Sequence, residues 1–361
     1  MSGQSNRLSW VDTAKGISII LVVMMHSAYG VGEETGGTGI LHWIIGFATP
    51  FRMPEFFMIS GLFLSQVINR DWQRFADRRV VHYFYFYFLW AFLQILFKVA
   101  LGTGDPVAAA SYMAWAVIEP YGVLWFIYML AVFSAATKLL HDAKVPHVVV
   151  IGAAALLQMA PVATGSYIVD QFAEYFVYFY SGYVFAPLIF KLVDWSMDHV
   201  LLAILGIVAW GLVDAALVFS PGFEVQPKHM LMGLAELPGL HLILAITGSI
   251  TLCVLAGLLS KLPFMDWLRW LGAHSIVVYL SFSIPMSMTR VILMKLGIIE
   301  STSVLSIIVM LSALIAPLVL YAAIQVTGWG KFLFERPAWA HIPGTPGSRS
   351  YVKAALQAPA E

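Results

Sequence analysis

Long apolar runs separated by short polar segments make up most of the chain. None of these runs shows the strict alternation of apolar and polar residues that marks the strands of a membrane β-barrel. A helix needs about 20 apolar residues to cross a bilayer, and ten runs approach or exceed that length. The ten predicted spans are residues 11–31, 41–68, 80–101, 121–138, 146–163, 168–190, 199–219, 240–260, 271–296 and 303–327.

A shorter apolar block, residues 108–119, is too brief to cross a bilayer. We expect it to form a re-entrant or interfacial segment that packs against protein or water. Residues 328–361 contain several prolines and glycines, so they are predicted to form a mostly irregular cytoplasmic extension. The chain is therefore expected to consist of a membrane domain, residues 1–327, followed by this tail.

The composition agrees with a membrane protein. Hydrophobic residues make up 60% of the 361 positions and charged residues only 11%, whereas a soluble protein carries about 25% charged residues. A soluble fold of this size could not bury so much apolar side chain in one core. The predicted class is an all-α polytopic membrane protein. The net charge of zero offers no basic surface for nucleic acid, and the single cysteine, Cys253, excludes an internal disulfide.

Positive charges lie mainly in alternate loops, which indicates the orientation in the membrane. Fifteen of the 20 Lys and Arg residues fall on the side of the N-terminus. We therefore expect both termini in the cytoplasm, as an even number of spans requires. The other five, which lie within spans or on the far side, are Arg52, Lys98, Lys228, Arg290 and Lys295.

The first predicted span carries three ionisable residues on one face. Lys15 and His26 are eleven positions apart, which on a helix is three turns plus about 20° and an axial distance of about 16.5 Å. Asp12 lies on the same side, three residues before Lys15. His26 could act as a general base, because histidine titrates near neutral pH. The structural alternative is that Lys15 anchors the helix and His26 is a hydrogen-bonded interior residue.

The second predicted span contains Pro50 and Pro54, which kink or break a helix. Arg52 lies between them, and Glu55 follows three residues later, close enough to form an ion pair. Such a pair in a broken span could line a reaction cavity or serve as a structural ion pair. Ser60 stands near the end of the span, in a Ser-Gly element that also suits helix packing through small residues.

An arginine-rich loop follows the second span, with Arg70, Arg74, Arg78 and Arg79 within ten residues. Guanidinium groups bind phosphate oxygens in a bidentate manner, so the loop is a candidate phosphate site. A role in topology combined with contact to the head groups of membrane lipids is the alternative.

Two further positions are candidates for substrate binding. Trp125, like Arg52 or the backbone groups near Pro54, could donate a hydrogen bond to a carbonyl that becomes tetrahedral. Glu174 lies among tyrosines near the start of the sixth span, a group that suits either sugar stacking or an interfacial aromatic belt. The histidines do not cluster at any spacing typical of a metal site, so no metal is predicted.

Together, these motifs resemble the acyltransferase 3 family of bacterial membrane acyltransferases. The motifs occur in family order through nearly the whole chain, and the absence of an appended hydrolase-like domain is typical of the stand-alone, sugar O-acetylase-like branch. The motifs are Lys15-Gly16-x9-His26, Pro54-Glu55-Phe56-Phe57-x-x-Ser60-Gly61, the arginine-rich loop, Leu124-Trp125-Phe126, Leu271-Gly272-x-x-Ser275-Ile-x-x-Tyr279-Leu280 and Phe334-Glu335-Arg336-Pro337.

The resemblance implies an enzyme of the bacterial inner membrane that moves an acyl group, usually acetyl, from cytoplasmic acyl-coenzyme A to a hydroxyl of a glycan or a lipid-linked sugar. It implies that His26 is the functional histidine, that Lys15 is the basic residue of the first span, and that Ser60 belongs to the family's Ser-Gly element. The residues that match the arginine-rich loop, where the coenzyme A phosphates would bind, are Arg74, Arg78 and Arg79.

The chain departs from the family pattern at one place. Many members carry a histidine shortly after the Tyr-Leu pair of the ninth span, where this chain has Ser281 and Phe282. Glu55 does not belong to the general pattern of the family, and its role is inferred from its position beside Arg52 alone.

Two other functions compete with the acyltransferase. A transporter or flippase for a lipid-linked or small polar solute would also use intramembrane charges and a broken helix. A structural subunit of an envelope assembly would leave His26 and Arg52 dispensable. The arginine-rich loop, together with His26 on the same face of the first span as Lys15, favours the enzyme, because transport does not require a coenzyme A pocket. The oligomeric state does not follow from the sequence.

Overall fold

The computed structural model describes residues 8–351, which are mainly helical. Arg7 and Lys353, two of the charges that predict the orientation, lie outside these residues, as does the end of the tail. The α-helices of the described part are α1 (Ser9–Thr35), α2 (Ile40–Leu62), α3 (Trp72–Ala76), α4 (His82–Ile95), α5 (Pro106–Trp115), α6 (Trp125–Asp142), α7 (His147–Met159), α8 (Tyr167–Asp198), α9 (Val200–Val218), α10 (Pro238–Leu259), α11 (Asp266–Ala273), α12 (Ser275–Ser281), α13 (Ser283–Leu296) and α14 (Thr302–Thr327).

Two π-helical segments flank α4. The first, Asp77–Val81, joins α3 to α4, and the second, Leu96–Ala100, continues α4, so that Trp72–Ala100 forms one long helical stretch. Two short strands, β1 (Phe223–Val225) and β2 (Met230–Met232), form an antiparallel hairpin in the loop before α10. The predicted all-α class is confirmed.

Fewer helices than the ten predicted spans meet the length and hydropathy expected of a span, although all ten predicted segments are helical. Among residues 8–351, seven helical stretches are long and apolar enough to cross a membrane, and α12 with α13 makes an eighth if the bent pair is one span. The two other predicted spans fall short for different reasons. α7 has only 13 residues, and α2 contains Arg52 and Glu55, which reduce its hydropathy.

The ninth predicted span is not one straight helix. Residues 271–296 are divided among the end of α11, α12 and α13, and α12 and α13 meet at an angle of 53°. Pro285 in the first turn of α13 explains the bend, because proline lacks an amide hydrogen and its ring clashes with the carbonyl one turn earlier. The block at 108–119 contains α5, a helix of ten residues that is indeed too short to cross; its depth in the membrane stays a prediction.

α1 is the central helix of the bundle and packs against α2, α10, α11 and α14. Its crossing with α11 requires glycine on both sides. A Cβ atom on Gly272 would collide with the carbonyl oxygen of Asp12, and one on Gly16 would collide with the carbonyl oxygen of Leu268. The first-span motif and the Leu-Gly motif of the ninth span therefore form a single helix contact, although they lie at opposite ends of the sequence.

A second glycine crossing joins α2 to α8. A Cβ atom on Gly61 would collide with the carbonyl oxygen of Phe179, and one on Gly182 would collide with that of Met58. Gly61 of the Ser-Gly element thus has the packing role that small residues commonly serve between membrane helices. This contact fixes the position of α2, the helix that carries Arg52.

The described part of the tail, residues 328–351, contains the 3₁₀ helices Lys331–Leu333 and Ala338–Ala340, and it packs against the α-helices. Tyr85 of α4 donates a hydrogen bond of 2.9 Å to the carbonyl of Phe332. Trp90, also of α4, donates one of 2.9 Å to the carbonyl of Leu333. The tail therefore contributes to the structure around the arginine-rich loop.

Candidate active site

The arginine-rich loop lines a cavity of about 1060 Å³, here called the arginine cavity. Its walls come from the turns after α2, from the first π-helical segment and from the tail. The volume lies slightly above the range of pockets that bind cofactors and drug-sized ligands, roughly 300–1,000 Å³. The basic residues that line the cavity are Arg70, Arg74, Arg78, Arg79, His82, Arg336 and His341.

Asp77, inside the arginine-rich loop, holds the tail at the edge of this cavity. Arg336 donates hydrogen bonds of 2.6 Å to the Asp77 carboxylate and 2.7 Å to its carbonyl oxygen. The amide of Ile342 donates to the same carboxylate at 2.7 Å, and His341 Nδ1 lies 3.1 Å from it. The side chains of Asp77 and Arg336 are each only 4% exposed. This clamp makes the tail a fixed wall of the cavity.

A second cavity of about 380 Å³ adjoins the arginine cavity and shares Phe63, Arg79 and Tyr83 with it. Arg79 donates hydrogen bonds of 3.3 Å to the hydroxyl of Tyr83 and 3.3 Å to the carbonyl of Phe63. Lys15 and Ser60 line this second cavity. The structure thus brings Lys15, Ser60 and Arg79, three residues singled out in the sequence, around one space.

Lys15 and Ser60 each have a partner close in sequence. Lys15 Nζ lies 4.0 Å from the Asp12 carboxylate, which confirms that the two residues lie on the same side of α1. The Ser60 hydroxyl donates a hydrogen bond of 2.8 Å to the carbonyl of Phe56 one turn earlier. Both side chains still line the second cavity, where they can reach a bound molecule.

An aromatic wall of the second cavity joins two more sequence motifs. The hydroxyl of Tyr279 on α12 donates a hydrogen bond of 2.7 Å to the carbonyl of Val123 and accepts one of 3.3 Å from the amide of Ile127. The ring of Tyr279 also meets that of Phe126 edge to face at 5.6 Å. The Leu-Trp-Phe motif at the start of α6 is therefore held in place by the Tyr-Leu motif of α12.

His26 lies further along α1, beside the break between α12 and α13. Its ring is 5.5 Å from the ring of Phe282, which occupies that break. Among residues 8–351, His26 makes no hydrogen bond, so the alternative of a hydrogen-bonded interior histidine does not apply. Arg52 and Lys98 are near enough for their charges to act on His26.

Arg52 does not form the predicted ion pair with Glu55, and that prediction is wrong. Glu55 is fully buried and accepts a hydrogen bond from the Ser18 hydroxyl of α1. Positions three apart on a helix differ by about 60° in direction, so the two side chains can face different neighbours. Arg52 instead interacts electrostatically with Tyr29 and Tyr175.

The guanidinium of Arg52 lacks the partners that a buried charge usually has. The residue is 8% exposed, and its Nε and Nη1 atoms are buried without a hydrogen-bond partner. A buried charge without a partner is costly, because desolvation is not compensated. Arg52 is therefore a candidate partner for a charge that the described residues do not supply.

Trp125 and Glu174 lie in two different places. The ring of Trp125 packs 5.4 Å from that of Tyr175 and 5.7 Å from that of Phe57, inside the aromatic core. Glu174 lines a third cavity, of about 400 Å³, together with His241 and two other acidic residues. The predicted substrate-binding residues Ser60, Trp125 and Glu174 are thus not brought together in one pocket.

Sequence reasoning missed three residues of the site. Lys98 lies inside a predicted span, and an intramembrane lysine is by default a functional candidate. Its position in the sequence could therefore have identified it as a candidate. The contact between Asp77 and Arg336 joins positions 259 residues apart, and no local pattern could have revealed it.

Within the described residues, no group of three or more His, Cys, Asp or Glu side chains could hold a metal ion.

The chain matches a known protein family. The family model for the acyltransferase 3 domain matches residues 8–322, from the start of α1 to near the end of α14. No curated protein and no solved structure matches the chain significantly. The matched region contains His26, Lys15 and the arginine-rich loop, whereas Arg336 lies beyond it. Because this match covers most of the chain, the protein belongs to the acyltransferase 3 family and is a multi-pass membrane acyltransferase.

Proposed function

We propose that the protein is an O-acyltransferase of the bacterial inner membrane that moves an acetyl group from cytoplasmic acetyl-coenzyme A to a hydroxyl of a glycan or a lipid-linked sugar. The observation that carries this proposal is the arginine cavity and its continuation into the second cavity. A neutral solute would not require so many guanidinium groups at one entrance. Coenzyme A is an acyl donor with several phosphates, and it fits this distribution of charge.

The two adjoining cavities match the two parts of an acyl-coenzyme A molecule. The nucleotide end carries the phosphates, and Arg78 and Arg79 can bind phosphate oxygens at the entrance. The thioester arm is longer and less charged, and the smaller second cavity beyond Arg79 is lined largely by apolar and aromatic side chains. Lys15 on the wall of that cavity belongs to the same helix as His26, so the arm would extend along α1.

The transfer can be written as a direct reaction. His26 accepts the proton of the acceptor hydroxyl, and the hydroxyl oxygen attacks the thioester carbonyl. Arg52 stabilises the negative charge on the carbonyl oxygen in the tetrahedral intermediate. The intermediate collapses by breaking its carbon–sulfur bond, and the leaving coenzyme A thiolate takes the proton from His26. The acetyl ester is formed, and both the enzyme and its charges return to their initial state.

The proposal is tested by mass spectrometry of glycans and lipids from cells with and without the gene, together with binding of acetyl-coenzyme A to the purified protein. We expect the deletion to remove an acetyl adduct from one glycan or lipid, and the protein to bind acetyl-coenzyme A. An unchanged set of acetylated products and no binding of the donor would contradict an acyltransferase of this type. Loss of a transported solute in the deletion would then favour the transporter.

A further inference from the structure

Two cations near His26 have no acidic partner. Arg52 on α2 is 8% exposed, and two of its three guanidinium nitrogens are buried without a hydrogen bond. Lys98 lies in the second π-helical segment, Leu96–Ala100, within an apolar stretch. In the part of the chain that the structure describes, no carboxylate lies within ion-pair distance of either residue. π-helical turns are rare and occur frequently at functional sites.

The packing around the break in the ninth span places Lys98 on the side of His26. Gln94, one turn before Lys98, donates a hydrogen bond of 3.3 Å to the carbonyl of Leu280 at the end of α12. Phe282, two residues later, packs its ring 5.5 Å from that of His26. The face of the helix that carries Gln94 and Lys98 therefore looks toward this break, and the charges of Arg52 and Lys98 both act on His26.

A third cation nearby, Arg290, has an acidic partner. Arg290 of α13 lies against α1 at Gly30, one turn after His26. Its guanidinium lies 3.8 Å from the carboxylate of Glu34. Arg290 is thus matched by an acid of the protein, whereas Arg52 and Lys98 are not.

The reaction itself accounts for only one of the two unmatched charges. The tetrahedral intermediate carries a single negative charge, and Arg52 can stabilise it. An intramembrane cation is costly unless something compensates it, and a neutral sugar hydroxyl would not compensate Lys98. Lys98 is partly exposed and lies two residues before the end of the stretch Trp72–Ala100, so it can meet a charged group of a molecule that enters the site. The phosphates of the donor are held at the arginine cavity in the function proposed above.

We propose that the acceptor carries a permanent oxyanion, a phosphate or a carboxylate, next to the hydroxyl that is acetylated, and that Lys98 binds this group while Arg52 serves the reacting oxygen. This inference rests on the proposed function. It defines the acceptor class as an anionic glycan or glycolipid rather than a neutral one. Lys98 is a binding residue in this scheme and takes no part in proton transfer.

The test uses membranes of the cells that make the protein, with acetyl-coenzyme A labelled in the acetyl group. The labelled product is extracted and passed over an anion exchanger, both from cells with the wild-type protein and from cells with Lys98→Met. Lys295→Met is the matched control, because Lys295 lies at the exposed end of α13. Binding of acetyl-coenzyme A to each purified variant is measured separately.

We expect the labelled product to be retained by the exchanger. Lys98→Met should raise the acceptor concentration needed for half-maximal labelling at least tenfold and leave the affinity for acetyl-coenzyme A unchanged. Lys295→Met should behave as the wild type. A neutral labelled product, or a Lys98→Met variant with wild-type dependence on the acceptor, would overturn the inference, whereas absence of any labelling and of donor binding would instead refute the proposed function.

A bound phospholipid could also supply the oxyanion, and reconstitution separates this source from the acceptor. Purified protein is placed in vesicles of phosphatidylcholine alone or of phosphatidylcholine with phosphatidylglycerol, and the extracted acceptor fraction is added. Equal labelling in both vesicles supports an oxyanion on the acceptor. A requirement for phosphatidylglycerol that disappears in Lys98→Met would assign Lys98 to a lipid head group and contradict the proposal.

Discussion

The two π-helical segments that flank α4 differ in the number of their basic residues and in whether an acidic residue lies among them. The first, Asp77–Val81, lies in the arginine-rich loop, where Arg78 is exposed and Asp77 pairs with Arg336. The second, Leu96–Ala100, carries Lys98 alone, with no acidic partner among the described residues. Exposed arginines at a cavity mouth are hydrated and cost little, so they can attract a highly charged donor. In our proposal, the unmatched Lys98 in an apolar stretch is the residue that binds an anionic group of the acceptor.

The comparison assigns separate tasks to the two regions. The arginine cavity would recognise the donor through many exchangeable contacts, and the region around His26 would position the acceptor through a few unmatched charges. Substitutions in the first region should therefore change donor affinity gradually. Substitutions in the second should change the rate or the acceptor dependence sharply, with little loss of stability.

The largest effect is expected for His26→Ala, which should lower acyl transfer by up to about 10⁴-fold, because a general base is lost. The protein should remain folded and inserted and should bind acetyl-coenzyme A normally. His199→Ala, at the exposed end of α8, is the matched control and should retain activity. Wild-type transfer by stably expressed His26→Ala would remove His26 from the mechanism.

The clamp between the tail and the loop should show the next largest effect. Asp77→Asn or Arg336→Met alone should lower the free energy of unfolding by about 3–5 kcal/mol, because each leaves a buried charge unpaired. The double variant should recover much of this loss. Both single variants should also weaken acetyl-coenzyme A binding, since the tail is a wall of the arginine cavity. Additive losses in the double-mutant cycle, measured by chemical or thermal unfolding, would show that the two residues do not interact.

Arg52→Met should lower activity about 100-fold, the effect of removing a donor to a developing oxyanion. Its thermal stability should stay at or above that of the wild type, because no carboxylate is left unpaired. Adding Glu55→Gln to Arg52→Met should not change the effect of Arg52→Met, since Glu55 contacts Ser18 and not Arg52. A fall in the melting temperature of Arg52→Met that is reversed by adding Glu55→Gln would indicate an ion pair between Arg52 and Glu55. That result would contradict the structure.

The smallest effect on the rate of transfer at saturating donor should follow from Arg78→Gln with Arg79→Gln. Each lost phosphate contact is expected to weaken donor binding by about tenfold, the effect of one charge-assisted hydrogen bond, while the acceptor dependence stays the same. Arg269→Gln on α11 is the control, because this arginine pairs with Asp266 at 3.2 Å and lines neither cavity. Unchanged donor affinity in calorimetry would assign the pair to membrane topology.

The sequence predicted the helical class, the positions of all ten apolar segments and the grouping of Lys15 and His26 on α1. These features depend on hydrophobic patterning and on helix periodicity, which are local. The sequence also pointed correctly to the arginine-rich loop as a cluster. It did not predict that Asp77, within the arginine-rich loop, forms hydrogen bonds with residues of the tail.

The remaining features depend on contacts between distant parts of the chain. The spacing of Arg52 and Glu55 permits an ion pair, but the direction of each side chain is set by α1, α8 and the glycine crossing at Gly61. The bend between α12 and α13 has a local cause in Pro285, whereas its position beside His26 follows only from the packing of α1. Spacing therefore gives the possible partners, and tertiary packing selects among them.

The central claim is that acetyl-coenzyme A bound at the arginine cavity donates its acetyl group at His26. The most direct measurement is the rate of label transfer from acetyl-coenzyme A to the lipid and glycan fraction of inverted membrane vesicles, over a range of donor concentrations. We predict that His26→Ala transfers label far more slowly than the wild type at every donor concentration, and that the Arg78→Gln/Arg79→Gln variant shows a raised KM for the donor with a wild-type kcat. Transfer at the wild-type rate by His26→Ala, or an unchanged KM in the arginine variant, would contradict the account.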